Sequence, residues 1–429
     1  MRVALYTLGC KVNMYETIFL INQFKEKGYK IVNFKETADI YVINTCTVTN
    51  NSALKSKKTI RRVIRNNKNA IIVVIGCLVE SHFTELSTDG NIHILVGNNN
   101  KTKVLTYIEE YKKNNELIRD KESLLSQPFS PMMITFCHDK TRAAVKIQDG
   151  CQNYCSYCII PYVRGHVRSK PKDIVLSEIT GLVNNGYQEI ILTGINIGSY
   201  GTDLKDNSLS LLLKDILKIP NLKRLRISSL EVTDINDEIL DVIAKSDIIV
   251  DHLHIPLQSG CDKILKLMNR QYNTEYFKHK IMALRKIRPK MAITTDVMVG
   301  FPGETDRDFN DTYNFINQIK FMKLHVFPYS KRAKTKAAQL PQQLSNDIKK
   351  IRVRKLTLLS KQLELEYMMQ FLNQQVEILI ETVDDNIARG RAGNYLLVKI
   401  KNFKGYSGTL QLVKIISISY PYLIGEISN

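Results

Sequence analysis

Short apolar runs alternate with segments of helical periodicity from residue 2 to about residue 112. The runs at 3–8, 40–44, 71–75 and 92–96 have the length and Val/Ile content of strands, and the stretches between them, such as 16–27, repeat apolar residues three and four apart. That alternation predicts βαβ units and therefore a parallel sheet covered by helices. A polar stretch from 112 to 131, holding Asn114, Asn115 and then Pro128-Phe-Ser-Pro131, breaks the pattern and predicts a linker.

Beyond the linker, strand-like runs recur at 144–148, 189–193, 224–228, 251–257, 292–299 and 323–329, separated by helical patterns such as 173–184 and 274–287. About six βα units follow, forming an open or closed barrel whose functional groups gather at the carboxyl ends of the strands. An amphipathic pattern from 346 to about 373 leads to a segment, 376–429, that alternates apolar positions with the turn residues Asp384, Asp385, Gly390 and Gly393. It predicts a small β-barrel, either of the kind that binds RNA or an inert appendage.

The fold class is therefore α/β. A doubly wound parallel sheet is expected over 1–112, a linker over 113–136, a partial (β/α)6 TIM-like barrel over 137–367 and a small β-barrel over 368–429. A chain of 429 residues exceeds what one hydrophobic core organises, and 44% hydrophobic content supports globular folding. The longest apolar run, 70–79, is strand-length and contains Gly76 and Cys77, so no membrane span is expected. The first residues, MRVALYTLGCKVN, lack the apolar region of a signal peptide, which points to a cytoplasmic location.

Lys plus Arg number 61 against 42 Asp plus Glu, a net charge of +19. Such a bias favours a polyanion, because each phosphate contact releases condensed counterions. Simple solubility or the lysine bias of an AT-rich genome gives the same number, so charge proposes a partner without identifying it.

The cysteines carry more. There are eight, at 10, 46, 77, 137, 151, 155, 158 and 261. In a reducing compartment, clustered cysteines lean toward metal binding or catalysis rather than disulfides. Cys151, Cys155 and Cys158 form CxxxCxxC directly after the first barrel strand. Three thiolates on one short loop can hold three corners of a 4Fe-4S cluster and leave the fourth iron without a protein ligand. That iron can chelate the amino and carboxylate groups of S-adenosylmethionine, so that an electron enters the sulfonium. Zinc takes four ligands, and no fourth residue here has the right local spacing. Cys10, Cys46 and Cys77 each lie just past a predicted strand, where ligands gather in open α/β sheets. Small soft residues buried at strand ends would look the same.

Glycine-rich or polar clusters follow the later barrel strands: Thr193-Gly-Ile-Asn-Ile-Gly198, Ser228-Ser-Leu-Glu231, His254-Ile-Pro-Leu-Gln-Ser-Gly260, Val299-Gly-Phe-Pro-Gly-Glu304 and Phe327-Pro-Tyr-Ser330. Singly they are turns. Together they lie where a cofactor would meet the backbone, and they nominate Gly194, Asn196, Ser229, Glu231, Gln258, Gly300 and Phe327 as contacts.

The CxxxCxxC with Tyr157 before its last cysteine resembles the radical-SAM superfamily, which implies that Tyr157 lies near the cofactor adenine. Leu8-Gly-Cys10-Lys-Val-Asn13, Asn44-Thr-Cys46 and Gly76-Cys77, upstream of that motif, resemble the methylthiotransferase family over nearly the whole chain. The resemblance implies that Cys10, Cys46 and Cys77 bind a second 4Fe-4S cluster that carries or accepts the sulfur, and that 368–429 is a TRAM domain. Gly9-Cys-Lys-Val-Asn13 with Tyr15-Glu-Thr17 is similar to the branch that methylthiolates N-threonylcarbamoyladenosine beside the tRNA anticodon.

The partners so implied are tRNA and an external electron donor of flavodoxin or ferredoxin type, since no flavin or nicotinamide motif is present; the sulfur donor is not named by the sequence. Lys55, Lys57, Lys58, Arg61, Arg62 and Arg65, with Arg389 and Arg391, suit RNA phosphates, although the first six would also make a solvated helix face. Residues 330–335 depart from the family by placing Ala333 and Lys334 where a proline-glycine turn is expected, which puts the rigidity of that loop in question. Cys137 and Cys261 fit neither trio, and packing is their expected role, with a place near the pocket left open for Cys261 beside the Gln258-Ser-Gly turn. Two other functions remain open: the same chemistry on isopentenyladenosine or a protein side chain, and an iron-sulfur RNA-binding redox sensor.

Overall fold

The computed structural model describes residues 1–124, 128–137 and 141–427; the portions of the expected linker, barrel and TRAM segments at 125–127, 138–140 and 428–429 lie outside the described residues.

The N-terminal part runs β1 (Arg2–Thr7), α1 (Lys11–Glu26), β2 (Lys30–Val32), β3 (Ile40–Thr45), α2 (Asn50–Asn66), β4 (Ile71–Gly76), α3 (Cys77–Ser87), β5 (Ile94–Val96), α4 (Val104–Asn114) and β6 (Ile118–Asp120). Its strands form one parallel sheet in the order β2-β1-β3-β4-β5-β6. β3 and β4 are buried almost throughout and read as continuous apolar runs, as central parallel strands do. The order reverses between β1 and β3, the place where open α/β sheets bind ligands. α1 begins at Lys11 rather than at 16, because Gly9 at φ 103° turns the chain straight out of β1 with Cys10 as N-cap. β6 falls in the stretch expected as linker; its three residues are too short an apolar run to stand out in the sequence.

The central part contains β7 (Arg142–Lys146), β8 (Gln148–Asp149), α5 (Ile160–Arg164), β9 (Arg168–Ser169), α6 (Lys172–Asn184), β10 (Glu189–Thr193), α7 (Leu209–Ile216), β11 (Arg224–Ile227), α8 (Asp237–Ala244) and β12 (His252–His254). It continues through α9 (Asp262–Leu267), α10 (Thr274–Ile287), β13 (Ala292–Val299), α11 (Asp306–Ile319), β14 (Lys323–Pro328) and α12 (Asn346–Met369). The sheets β11-β10-β7 and β12-β13-β14 are parallel and meet through the Leu225–Ile249 bridge. Among the described residues no ladder closes β14 on β7, so the six-stranded barrel is open. The first expected strand is split: β8 leaves the barrel and pairs antiparallel with β9, which frees the chain after Asp149 to form the CxxxCxxC loop.

The last part is a closed barrel, β15 (Gln375–Asp384), β16 (Ile387–Ala392), β17 (Leu397–Ile400), β18 (Leu410–Ser419) and β19 (Tyr422–Ile427), in the order β15-β16-β17-β19-β18. The largest hydrophobic core is shared between the first two parts, with Tyr15, Phe19 and Phe24 of α1 packed among Met132, Ile134 and the barrel residues Val145 and Ile190. A second core joins Tyr367, Met368 and Phe371 at the end of α12 to Ile378, Val398 and Val413 of the closed barrel. No helix among the described residues is long and apolar enough to cross a membrane.

Candidate active site

The sheet topology sets Cys10, Cys46 and Cys77 at the carboxyl ends of the adjacent strands β1, β3 and β4, next to the switch point. Gly9 and Gly76, both with φ near 100°, precede two of them, and an added Cβ on Gly9 would stand 2.9 Å from the Cys46 sulfur. Only glycine tolerates both the backbone angle and the approach. The Cys46 N–H donates to Ser56 Oγ at 3.1 Å, and that hydroxyl returns a bond of 2.9 Å to the Cys46 carbonyl, tying the loop to α2. Burial pushes the Cys10 and Cys46 thiols up. Cys10 is nonetheless reached by solvent, because it forms part of a concave wall.

Cys151 follows Gly150, where a Cβ would lie 1.7 Å from the His166 carbonyl oxygen; the chain crosses itself here, and the Cys151 N–H donates to Gly165 O at 3.0 Å. Cys155 and Cys158 close a turn, Cys158 N–H to Cys155 O at 2.9 Å. Burial raises Cys151 to about 11 and Cys158 to about 12, with the neighbouring thiols adding to it.

A single zinc would hold its sulfurs about 4 Å apart, yet among the described residues the only Cys, His, Asp or Glu group with all ligand atoms within 4.8 Å is Cys261, Asp308 and Asp311. Neither trio therefore draws its three sulfurs together around a single ion. The Cys261 group is no match for a metal either, because the Asp308 carboxylate already caps α11 through Thr305 and pairs with Lys263 at 2.7 Å.

Between the trios lies a buried charge network that sequence reading missed. Arg164, fully buried, donates from Nε to Cys77 Sγ at 3.3 Å, from one terminal nitrogen to Glu16 at 2.6 Å and Asp149 at 3.1 Å, and from the other to Asn13. Lys146 bridges Glu16 at 2.9 Å and Asp149 at 2.6 Å, and Lys101 also pairs with Glu16. Burial would raise Glu16, but Arg164, Lys101 and Lys146 outweigh it and hold the carboxyl well below its usual range. A guanidinium on Cys77 and a carboxylate two residues before Cys151 thus share one hydrogen-bonded unit, which fixes one trio relative to the other.

Arg270 does similar work for the second trio, donating to Cys155 Sγ at 3.4 Å while paired with Glu231. Arg332 reaches the first: it donates to Thr47 and to Asn50, both at 2.6 Å, so the 330–335 loop is anchored beside Cys46 without a proline-glycine turn.

The remaining nominees are dispersed. Gly194 and Ser229 line a cavity of about 550 Å³ together with Cys10. Tyr157 packs on the cluster of Cys261, Met268 and Phe301, near Arg270 and the trio. The Asn196 N–H donates to the Gln148 side chain at 2.8 Å, and its own amide donates to Ser199. Gln258 adopts φ 64° at its turn, the Gly300 N–H donates to Glu304 at 2.6 Å, and Phe327 is exposed. Cys137 is a core residue whose N–H donates to Tyr187 at 2.8 Å, and Cys261 is buried against Asp308.

The cavity is walled by all three parts of the chain: Cys10 and Lys11 from the first, His252, His254 and Lys323 from the central barrel, and Arg391 and Tyr395 from the closed barrel. Tyr395 stacks on His252 with ring centroids 4.8 Å apart and lies under the guanidiniums of Arg391 and Arg226, at 4.5 and 4.8 Å. Burial would raise its phenol, but Lys11, Arg391, Arg142 and Arg226 hold it below its ordinary value.

Residues 145–316 match the family model described as "Radical SAM superfamily", and residues 2–97 match "Uncharacterized protein family UPF0004". The chain is 43% identical over 99% of its length, and 96% of the other's, to the threonylcarbamoyladenosine tRNA methylthiotransferase MtaB of Bacillus subtilis. It is 33% identical over 98% of its length, and 95% of the other's, to the tRNA-2-methylthio-N(6)-dimethylallyladenosine synthase of Clostridium botulinum. Among solved structures, the radical S-adenosylmethionine methyltransferase TsrM of Kitasatospora setae is similar in fold alone, with a TM-score of 0.58 at 12% identity, covering 79% of this chain and 77% of that one.

Proposed function

The chain belongs to the radical-SAM tRNA methylthiotransferases, and from that premise we propose that its acceptor is N-threonylcarbamoyladenosine beside the anticodon. The product is the 2-methylthio derivative. The enzyme uses two 4Fe-4S clusters and S-adenosylmethionine. Cys151, Cys155 and Cys158 hold the cluster that binds S-adenosylmethionine, and Cys10, Cys46 and Cys77 hold the other.

When bound, the first cluster supplies the electron that cleaves the sulfonium, and the second keeps sulfur close to the inert adenine C–H. The protein's own contribution is placement. Arg164 and Glu16 lock the Cys77 loop to the segment that carries Cys151. Arg270, held by Glu231, puts a positive charge on Cys155, where it stabilises thiolate sulfur. Arg332, bonded to Thr47, brings its charge near Cys46. Cys10 opens onto the cavity where all three parts of the chain meet, so a base bound there would face the sulfur store. Electrons come from an external donor of flavodoxin or ferredoxin type.

The observation that supports the choice of acceptor is the identity to relatives bearing the threonylcarbamoyladenosine name, 35–43% against 32–33% for those named for dimethylallyladenosine. Nucleoside mass spectrometry of tRNA from a strain lacking the gene tests it. The methylthio-threonylcarbamoyl nucleoside should disappear and its unthiolated precursor accumulate. Persistence of the methylthio form at the parental level would refute the assignment.

A further inference from the structure

We propose that Lys11, with Arg391 and Tyr395 opposite, forms the subsite for the carboxylate of the amino-acid substituent on the target adenine, an inference that rests on the acceptor proposed above. Three observations converge. Lys11 is exposed to the cavity and, among the described residues, has no ion-pair partner. Of the other cations nearby, Lys323 pairs with Glu364 at 2.9 Å and Arg226 holds Glu189 at 2.7 Å, whereas Arg142 and Arg391 share the single carboxylate of Glu381. The cavity wall is therefore short of negative charge, at Lys11 and beside Arg391, in a space of ligand size.

The second observation concerns Tyr395. It sits at φ 73°, a left-handed angle that a bulky side chain adopts only where the surroundings impose it. The Arg226 hydrogen bond to the Gly393 carbonyl, 3.0 Å, and the stack on His252 hold that turn in place. With its ring held between His252 and the guanidiniums, Tyr395 lines the cavity with its phenol among positive charges, where the hydroxyl can donate to a carboxylate.

The third is adjacency. A ureido substituent on the exocyclic nitrogen of adenine hydrogen-bonds to the ring nitrogen beside it. It thus lies along the same edge as the carbon that receives sulfur. Cys10 and Lys11 are consecutive residues on one wall, so a sulfur-side thiol and a cation address the two ends of that edge. An apolar isopentenyl group would leave Lys11 without a counter-charge.

The test uses the reconstituted holoenzyme without reductant and three synthetic anticodon stem-loops carrying adenosine, threonylcarbamoyladenosine or its carboxyl methyl ester at the same position. Affinities are read by fluorescence anisotropy. Wild type should bind the carboxylate RNA about tenfold or more tightly than the ester. Lys11→Met should erase that difference while leaving the ester RNA unchanged, and Lys11→Arg should restore it. Arg391→Gln should narrow the difference, which gives a second reading if Lys11→Met loses iron. Equal wild-type affinity for carboxylate and ester overturns the subsite but leaves the acceptor standing, provided both still outbind plain adenosine. Uniform weakening of all three RNAs by Lys11→Met assigns Lys11 to a phosphate and overturns the proposal. Wild type that does not prefer the threonylcarbamoyl RNA over plain adenosine removes the acceptor, and the subsite with it.

Discussion

Individual glycines and arginines decide how the six cysteines are presented. Gly9 is the sharpest case, because its backbone angle of 103° and the 2.8 Å approach to Cys46 Cβ leave no space for a methyl group. Gly9→Ala should displace Cys46 and cost the N-terminal cluster while sparing the other. Iron per chain should fall from about eight to about four, with deoxyadenosine still formed from S-adenosylmethionine under dithionite. Full iron content in the variant would contradict the ligand set. Arg164 is equally constrained: its loss would leave Glu16 and Asp149 buried beside Lys101 and Lys146 in a network built around it.

At the level of elements, α2 has two faces with different work. Ala53, Ser56, Ile60 and Val63 pack inward and fix the Cys46 loop, whereas Lys55, Lys58, Arg61, Arg62 and Arg65 are exposed. Lys57 differs from these, being paired with Glu85 at 2.7 Å, and is a weaker candidate for phosphate than the sequence alone implies. The triple change Lys58→Ala, Arg61→Ala, Arg65→Ala should leave the fold intact and lower the slope of log affinity for tRNA against log salt by about two. An unchanged slope would mean that this face is merely solvated.

The whole molecule works only if its three parts keep their relative positions, since each supplies a wall of the same cavity. The closed barrel is held to β11 by Arg224, which donates to the Glu377 carboxylate at 2.8 Å and carbonyl at 2.6 Å. Arg224→Ala removes both bonds, and because Glu377 is half exposed to water the cost is about 1–2 kcal/mol. The junction near residues 370–374 should then be cut by protease several-fold faster, and tRNA methylthiolation should fall more than reductive cleavage of S-adenosylmethionine. Unaltered cleavage kinetics would show that Arg224 does not hold the joint.

What the sequence determined by itself was local and periodic. The strand runs, the CxxxCxxC spacing and the first-cysteine motif are written in consecutive residues, so the α/β class, the order of the three parts and the family could all be read from them. The α1 start was displaced because a left-handed glycine, which periodicity does not encode, begins the helix at Lys11. β6 was missed because an edge strand of three residues carries no pattern. The tertiary structure alone decided everything that depends on distant residues meeting. Arg164 is 87 residues from Cys77, Arg270 is 115 from Cys155 and Arg332 is 285 from Thr47, and in sequence each is one basic residue among 61. Tyr395 likewise gave no warning. Its role comes from a turn that brings it against His252 and Arg226, because hydrogen bonding and charge pairing act through space while a sequence records only neighbours along the chain.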